Sequence, residues 1–213
     1  MFWDVLDDER KRVLRLLVAT PPIGGAYLAG GTGLALLFGH RTSVDFDWFT
    51  PDDFSPAALA SRLGELGPLR VAETAPGTFH GWLGQCRVTW LRYTYPMLRP
   101  FVTPDDLPGL SIASPLDIAL MKWTALSDRG ALKDFIDLYE CARQGLPLRL
   151  LHDRLGEKFP GLNLNRYHMI KCLTYFDDAK SDPWPEIRRS VTWGDLEAYF
   201  RTAGAELLRS VSS

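Results

Sequence analysis

The chain lacks any run of about 18 or more uncharged apolar residues, so nothing in it reads as a membrane-spanning helix, although 46% of its residues are apolar. Met1-Phe2-Trp3-Asp4 has neither a basic n-region nor an apolar h-region, and no signal peptide is expected. The three cysteines, Cys86, Cys141 and Cys172, contain no Cys-x-x-Cys pair. That usage points to reduced thiols in a cytoplasmic protein, buried as small hydrophobes. The four histidines, His40, His80, His152 and His168, show no ligand spacing, which argues against zinc. A net charge of −2 gives no bulk attraction to nucleic acid. Only local basic faces remain, with Arg87, Arg92 and Arg99 as one candidate and Arg188-Arg189 as another. Internal repeats and low-complexity tracts are also missing. At 213 residues the chain is long enough to bury a substantial core, as one large domain or two small ones.

What is present is concentrated near the N-terminus. Ala26-Tyr27-Leu28-Ala29 reads as a short strand running into the turn Gly30-Gly31-Thr32-Gly33, followed by a short apolar helix over Leu34–Phe38. Glycines there free the backbone for a tight turn and for close approach of a ligand. The N-terminus of the following helix offers unpaired N–H groups and a positive dipole end, which suits a phosphate. No Gly-Lys-Ser/Thr follows and the third Gly of a dinucleotide fingerprint is missing, which excludes those two phosphate-binding motifs.

Val44-Asp45-Phe46-Asp47-Trp48 then reads as a strand. Side chains alternate faces along a strand, so Val44, Phe46 and Trp48 are expected in a core, with Asp45 and Asp47 together on the other side, about 6.6 Å apart at Cα. Two like charges on one face repel unless a cation lies between them, and hard oxygen ligands without cysteine favour Mg²⁺ or Mn²⁺. A solvated acidic edge is the plainer alternative. Arg41 and Ser43 share the carboxylate parity and could reach a phosphate oxygen, Arg41 through its bidentate fork. His40 falls on the opposite parity and is expected to pack.

The remaining pattern is α+β. A helix is expected over residues 4–18 and another from the Ser55-Pro56 cap to Leu66, with strands at Leu69–Glu73, Thr78–Leu83 and Cys86–Arg92. After the connector Pro100 to Pro108, helices are expected at Ser114–Leu126, Leu132–Gln144, Leu146–Lys158, Asn163–Phe176 and Thr192–Leu208.

Gly30-Gly31-Thr32 with Gly39-His40-Arg41-x-Ser43-x-Asp45-x-Asp47-x-Phe49, together with Lys122, Ala125-Leu126, Arg129 and Lys133-Asp134-x-x-Asp137-Leu138, resembles the motifs of the AbiEii/AbiGii-type nucleotidyltransferase toxins. Those toxins belong to the DNA polymerase β-like nucleotidyltransferase superfamily. The resemblance covers residues 27–49 and 115–140. It implies a polymerase β-like nucleotidyltransferase core over residues 1–110, a small mixed sheet flanked by helices. A helical C-terminal region, residues 111–213, would follow and complete the active-site cleft. It further implies Mg²⁺- or Mn²⁺-dependent transfer of NMP from an NTP to an RNA end, with tRNA as one acceptor, by a toxin that has a cognate antitoxin. By the same resemblance Asp45 and Asp47 are metal ligands, and Gly30, Gly31, Thr32, Arg41, Ser43, Lys122 and Arg129 bind nucleotide. Asp45, Asp47, Lys122 and Asp134 are then the catalytic set. Lys122 could instead snorkel to solvent, and Asp134 with Asp137 could form a salt-bridge cluster that docks helices. Members of the superfamily usually carry a third carboxylate on a later strand. Cys86–Tyr93 contains none, Glu73 is the nearest upstream, and Asp134 is the leading alternative proton acceptor. The competing reading is a catalytically inactive nucleotide-binding protein acting through a protein partner.

Overall fold

Alternating apolar residues along three central strands generate the sheet that organises the N-terminal half. A computed structural model describes residues 1–211; Ser212 and Ser213, the end of the expected helical region, lie outside the described residues. The chain divides into two compact units, Met1–Tyr95 with Arg99–Ser114, and Pro96–Leu98 with Pro115–Ser213.

In the first unit, strands β1 (Tyr27–Ala29), β2 (Asp45–Thr50), β3 (Leu69–Ala75), β4 (Thr78–Leu83) and β5 (Cys86–Arg92) form one mixed sheet in the order β1-β2-β5-β4-β3. β2 and β5 are parallel, and the other neighbouring pairs are antiparallel. One face carries Phe46, Trp48, Phe79, Leu83, Val88 and Trp90, all buried. The Trp48 and Trp90 rings stack at 6.0 Å between centroids, and Phe79 meets Trp90 edge-on at 6.2 Å. Large aromatic rings in such arrangements dominate the burial energy of a small core, at about 2–3 kcal/mol each. Helix α1 (Asp8–Ala19) contributes Val13, Leu14 and Leu17 to the core, and α3 (Pro56–Leu66) contributes Leu59 and Leu63. The short α2 (Gly30–Phe38) packs on β1 and β2.

Two local expectations change. Residues 4–18 are not one helix: Trp3–Val5 form a 3-10 turn, and α1 starts only after Asp7, whose carboxylate accepts the Arg10 N–H at 2.8 Å. A capping side chain that satisfies an orphan donor fixes the start there. Val44, expected in the core, is 52% exposed because the strand begins one residue later, at Asp45.

The second unit is helical: α4 (Pro115–Arg129), α5 (Leu132–Arg143), α6 (Leu148–Lys158), α7 (Arg166–Cys172), α8 (Asp177–Ser181) and α9 (Trp193–Val211). α4 is buried on most sides, including Leu116, Ile118, Leu120, Trp123 and Leu126; α5, α6 and α7 pack against it, and α9 packs on those three. Gly130, at φ +60°, makes the left-handed step that turns α4 back into α5. The helix expected over 163–176 is shorter, running only over Arg166–Cys172, with a separate short helix beginning at Asp177. Asn165 caps α7 by accepting the His168 N–H at 2.9 Å, and the Thr174 hydroxyl donates to the Lys171 carbonyl at 3.1 Å, competing with the helical ladder. No helix among the described residues is long and apolar enough to cross a membrane. Cys86 and Cys141 are buried and Cys172 partly so; all three are free thiols, and burial pushes the Cys141 thiol well above its ordinary value.

Candidate active site

The glycine turn is tighter than the sequence suggests. α2 starts at Gly30 itself, directly off β1, with Ala29 as a cap that has no side-chain acceptor to offer its first turn. Gly30 sits at φ +63°, a conformation that side-chain-bearing residues rarely adopt. A methyl on Gly30 would collide with the Asp47 carboxylate, and one on Gly31 would collide with the Arg41 guanidinium. The two glycines let a carboxylate and a guanidinium both lie against the first turn of α2. Gly30→Ala is expected to destabilise the fold by about 1–2 kcal/mol through backbone strain and to displace Asp47. Gly24→Ala, where a methyl meets nothing within 4 Å, serves as the neutral control in urea unfolding.

Asp45 and Asp47 lie on one face of β2, both part-exposed, while Phe46 and Trp48 between and beyond them are buried. Thr32 is almost wholly buried. Its hydroxyl lies 2.7 Å from Ser43 Oγ and bonds the Asp45 carbonyl, so Thr32 and Ser43 tie α2 to the strand that carries the carboxylates. Arg41 is 4% exposed and donates to the Thr42 carbonyl at 3.0 Å. His40 is buried, its ring edge-on to Phe38 at 6.4 Å. Six residues spread over sixteen positions, Gly30, Gly31, Thr32, Arg41, Ser43 and Asp45, thus converge with Asp47 on one corner of the sheet.

The parallel register places Arg87 beside Asp45 and Thr89 beside Asp47. These are the positions on β5 at which a third carboxylate would stand. Thr89 instead meets His80 Nδ1 on β4 at 3.0 Å. Glu73 aligns with His80 on β3, three strands from Asp47. At about 4.8 Å per strand that is roughly 14 Å, too far to share an ion with the Asp pair. His80 was absent from the sequence-based candidates because only the β4–β5 register reveals its place.

The donor set fits magnesium held jointly with a polyphosphate. Mg²⁺ is commonly bound through one or two carboxylates plus substrate phosphates rather than by an all-protein cage. The described residues hold no group of three or more His, Cys, Asp and Glu side chains able to bind a metal ion. Asp45 and Asp47 are the ligands such an ion would take from this unit.

In the second unit the motif residues form a buried cluster. Lys122 Nζ donates to Asp134 Oδ1 at 2.7 Å and pairs with Asp137 at 2.8 Å. Arg129 clamps Asp134 through Nε at 2.7 Å and a second nitrogen at 3.0 Å. Asp134 and Asp137 are fully buried, Lys122 is nearly so, and half of the Arg129 side chain is exposed. Burial raises the Asp134 carboxyl, but the Lys122 and Arg129 cations outweigh it and hold its pKa below the ordinary carboxylate value. Asp134, expected as the alternative base, accepts hydrogen bonds from both Lys122 and Arg129. Its contribution to stability is present above the unfolded pKa of about 4 and is lost as pH falls through its lower folded value. The difference in urea midpoint between the wild type and Asp134→Asn should therefore narrow in acid.

Lys158 and Asp117, which the sequence did not single out, form a second buried pair at 2.8 Å, with Lys158 also donating to the Pro96 carbonyl at 2.8 Å. Burial lowers the Lys158 pKa and Asp117 partly restores it. Parts of the two expected basic faces are engaged in ion pairs. Arg189 pairs with the buried Glu140 at 2.6 Å, Arg92 pairs with Asp53 at 2.9 Å, and Arg87 and Arg92 lie on opposite faces of β5 by parity.

No family model matches the chain. The protein aq_aa25 of Aquifex aeolicus (strain VF5), itself uncharacterized, is 31% identical over 208 residues, covering 96% of this chain and 98% of that one. Among solved structures, the nucleotidyltransferase toxin MenT4 of Mycobacterium tuberculosis H37Rv superposes with a TM-score of 0.59 at 18% identity, over 94% of this chain and 82% of that one. A candidate nucleotidyltransferase of H. pylori superposes with a TM-score of 0.54 at 16% identity, over 96% and 98%. The chain belongs to the family of the Aquifex protein, and its α+β fold, a five-stranded mixed sheet with flanking helices followed by C-terminal helices, is the one found in the MenT4 nucleotidyltransferase toxin.

Proposed function

We propose that this protein is an Mg²⁺-dependent nucleotidyltransferase that moves NMP from an NTP to an RNA end, as the toxin of an AbiEii/AbiGii-like toxin–antitoxin pair. One observation carries the reading: the Asp45–Asp47 pair stands on one strand face with Gly30 against Asp47 and Gly31 against Arg41. Chemistry on an α-phosphate requires anion-binding donors beside metal-binding carboxylates, and this corner supplies both.

In this reading the first-turn N–H groups of α2 and the Arg41 guanidinium bind the triphosphate, and Asp45 and Asp47 hold the magnesium. Bound there, the ion would offset charge on the phosphate oxygens as pyrophosphate departs. Thr32 and Ser43 keep the carboxylate strand in place relative to the helix. The shared fold with a nucleotidyltransferase toxin supports the assignment without extending to donor or acceptor. Nucleotide binding without transfer is the second reading, favoured by Arg87 and Thr89 standing where a third carboxylate would be.

The test is incubation of the protein with each α-³²P-labelled NTP, Mg²⁺ or Mn²⁺ and total bacterial RNA. Label in a discrete RNA band, tRNA-sized if tRNA is the acceptor, establishes transfer and names the donor. Metal-dependent nucleotide binding with no label in RNA or protein establishes the second reading.

A further inference from the structure

The same strand face that holds the Asp pair continues as a cationic and aromatic row. Register links Asp45 on β2 to Arg87 on β5, Arg87 to Trp82 on β4, and Trp82 to Arg70 on β3. Cross-strand partners point to the same face, so these four side chains line up across the sheet over roughly 14 Å. Arg87 and Arg70 are exposed, and Trp82 is half-buried. The Arg70 guanidinium carbon lies 3.6 Å from the Trp82 ring centroid, a cation–π stack. Neither arginine has a carboxylate partner among the ion pairs of the described residues, although Arg87 stands next to Asp45 in register. On the same sheet, Arg92 is consumed by Asp53. The row ends at β3, the outer strand of the sheet.

A polar sheet face needs no tryptophan for solubility, and this one lies on the side opposite the aromatic core of Trp48, Phe79 and Trp90. An aromatic ring with a guanidinium stacked on it, flanked by a second guanidinium, is chemistry that recognises single-stranded nucleic acid. Bases stack on the ring and on the guanidinium plane, and phosphates take the charges. We propose that Arg87, Trp82 and Arg70 form the acceptor track, which seats the last few nucleotides of a single-stranded RNA and leads its terminal hydroxyl from the sheet edge toward Asp45. This inference rests on the nucleotidyltransferase reading and specifies its acceptor side. The chain's slightly negative net charge fits a short track rather than a broad nucleic-acid face.

The experiment measures anisotropy of a short fluorescein-labelled single-stranded RNA against the full chain and its Trp82→Ala, Arg87→Gln and Arg70→Gln variants, between about 50 and 200 mM salt. A fluorescent NTP analogue with Mg²⁺ is titrated in parallel, and circular dichroism verifies folding. Trp82→Ala is expected to weaken RNA binding about tenfold. Each arginine variant is expected to lower the salt slope by about 0.7. Metal-dependent NTP binding should stay at the wild-type level in all three. Wild-type RNA affinity and slope in all three variants would overturn the track, as would an unmodified chain that binds the NTP analogue but not the RNA. Loss of NTP binding in the unmodified chain would instead strike the nucleotidyltransferase reading itself. Capture of an acidic protein by this row, with no RNA binding, would also overturn the proposal.

Discussion

Replacing Asp47 with Ala is expected to abolish nucleotidyl transfer, with a loss of about 10³-fold or more, while leaving the fold intact. Asp47 is part-exposed on a strand face whose opposite side carries the packing, so its removal leaves no cavity in the aromatic core. Its loss does remove one of the two carboxylates that this corner can offer a cation, and electrostatic stabilisation of that kind is often the largest single contribution to catalysis. Gly30 gives the expectation its specificity. A residue that must adopt φ +63° and that excludes any methyl for the sake of the Asp47 carboxylate marks Asp47 as positioned rather than merely solvated. Equal loss in Asp45→Ala, with unchanged urea midpoints for both variants, would complete the case. Transfer at the wild-type rate in Asp47→Ala would remove the metal site from the account.

The second large effect is on stability. Lys122→Ala should cost about 3–5 kcal/mol, because it strips the shared cation from two fully buried carboxylates and leaves Asp137 without its Lys122 partner. For a chain of this size, at about 2–4 °C per kcal/mol, Tm should fall by roughly 6–20 °C. The same substitution would silence a triphosphate-binding lysine, so activity alone cannot distinguish the roles. Lys122→Arg does: it keeps the charge between the two aspartates but changes the donor geometry. A variant that keeps most of the stability and loses transfer marks Lys122 as a nucleotide-binding group. One that keeps transfer in proportion to its folded fraction marks it as the anchor of the α4–α5 hairpin.

Much of this arrangement could be read from residue order. The strand read from alternation over Val44–Trp48 overlaps β2, which runs Asp45–Thr50, and the Ser55-Pro56 cap marks the start of α3. The strands β4 and β5 lie where Gly84-Gln85 separates two β-rich runs. The Lys, Arg and Asp-x-x-Asp spacing brought Lys122, Arg129, Asp134 and Asp137 together, since residues three apart share a helix face and Gly130 folds one helix back on the other. What could not be read depends on pairing between distant segments. Nothing local says that Thr89 stands beside Asp47, that His80 bonds Thr89, or that Arg87, Trp82 and Arg70 share one row, because each follows from register. Nor does the sequence reveal that Asp117 and Lys158, 41 positions apart, form a buried pair. The misplaced helix starts at residues 4 and 163 have a common cause. Asp7 and Asn165 cap from inside runs whose apolar spacing looks continuous.

The most direct test compares two labels on the donor identified by the four-NTP assay, with RNA and Mg²⁺ present. The account predicts that label on the α-phosphate enters RNA and that label on the γ-phosphate leaves as pyrophosphate, both lost in Asp47→Ala. Label entering RNA from the γ-phosphate, or no transfer from either position while the nucleotide binds, would contradict it.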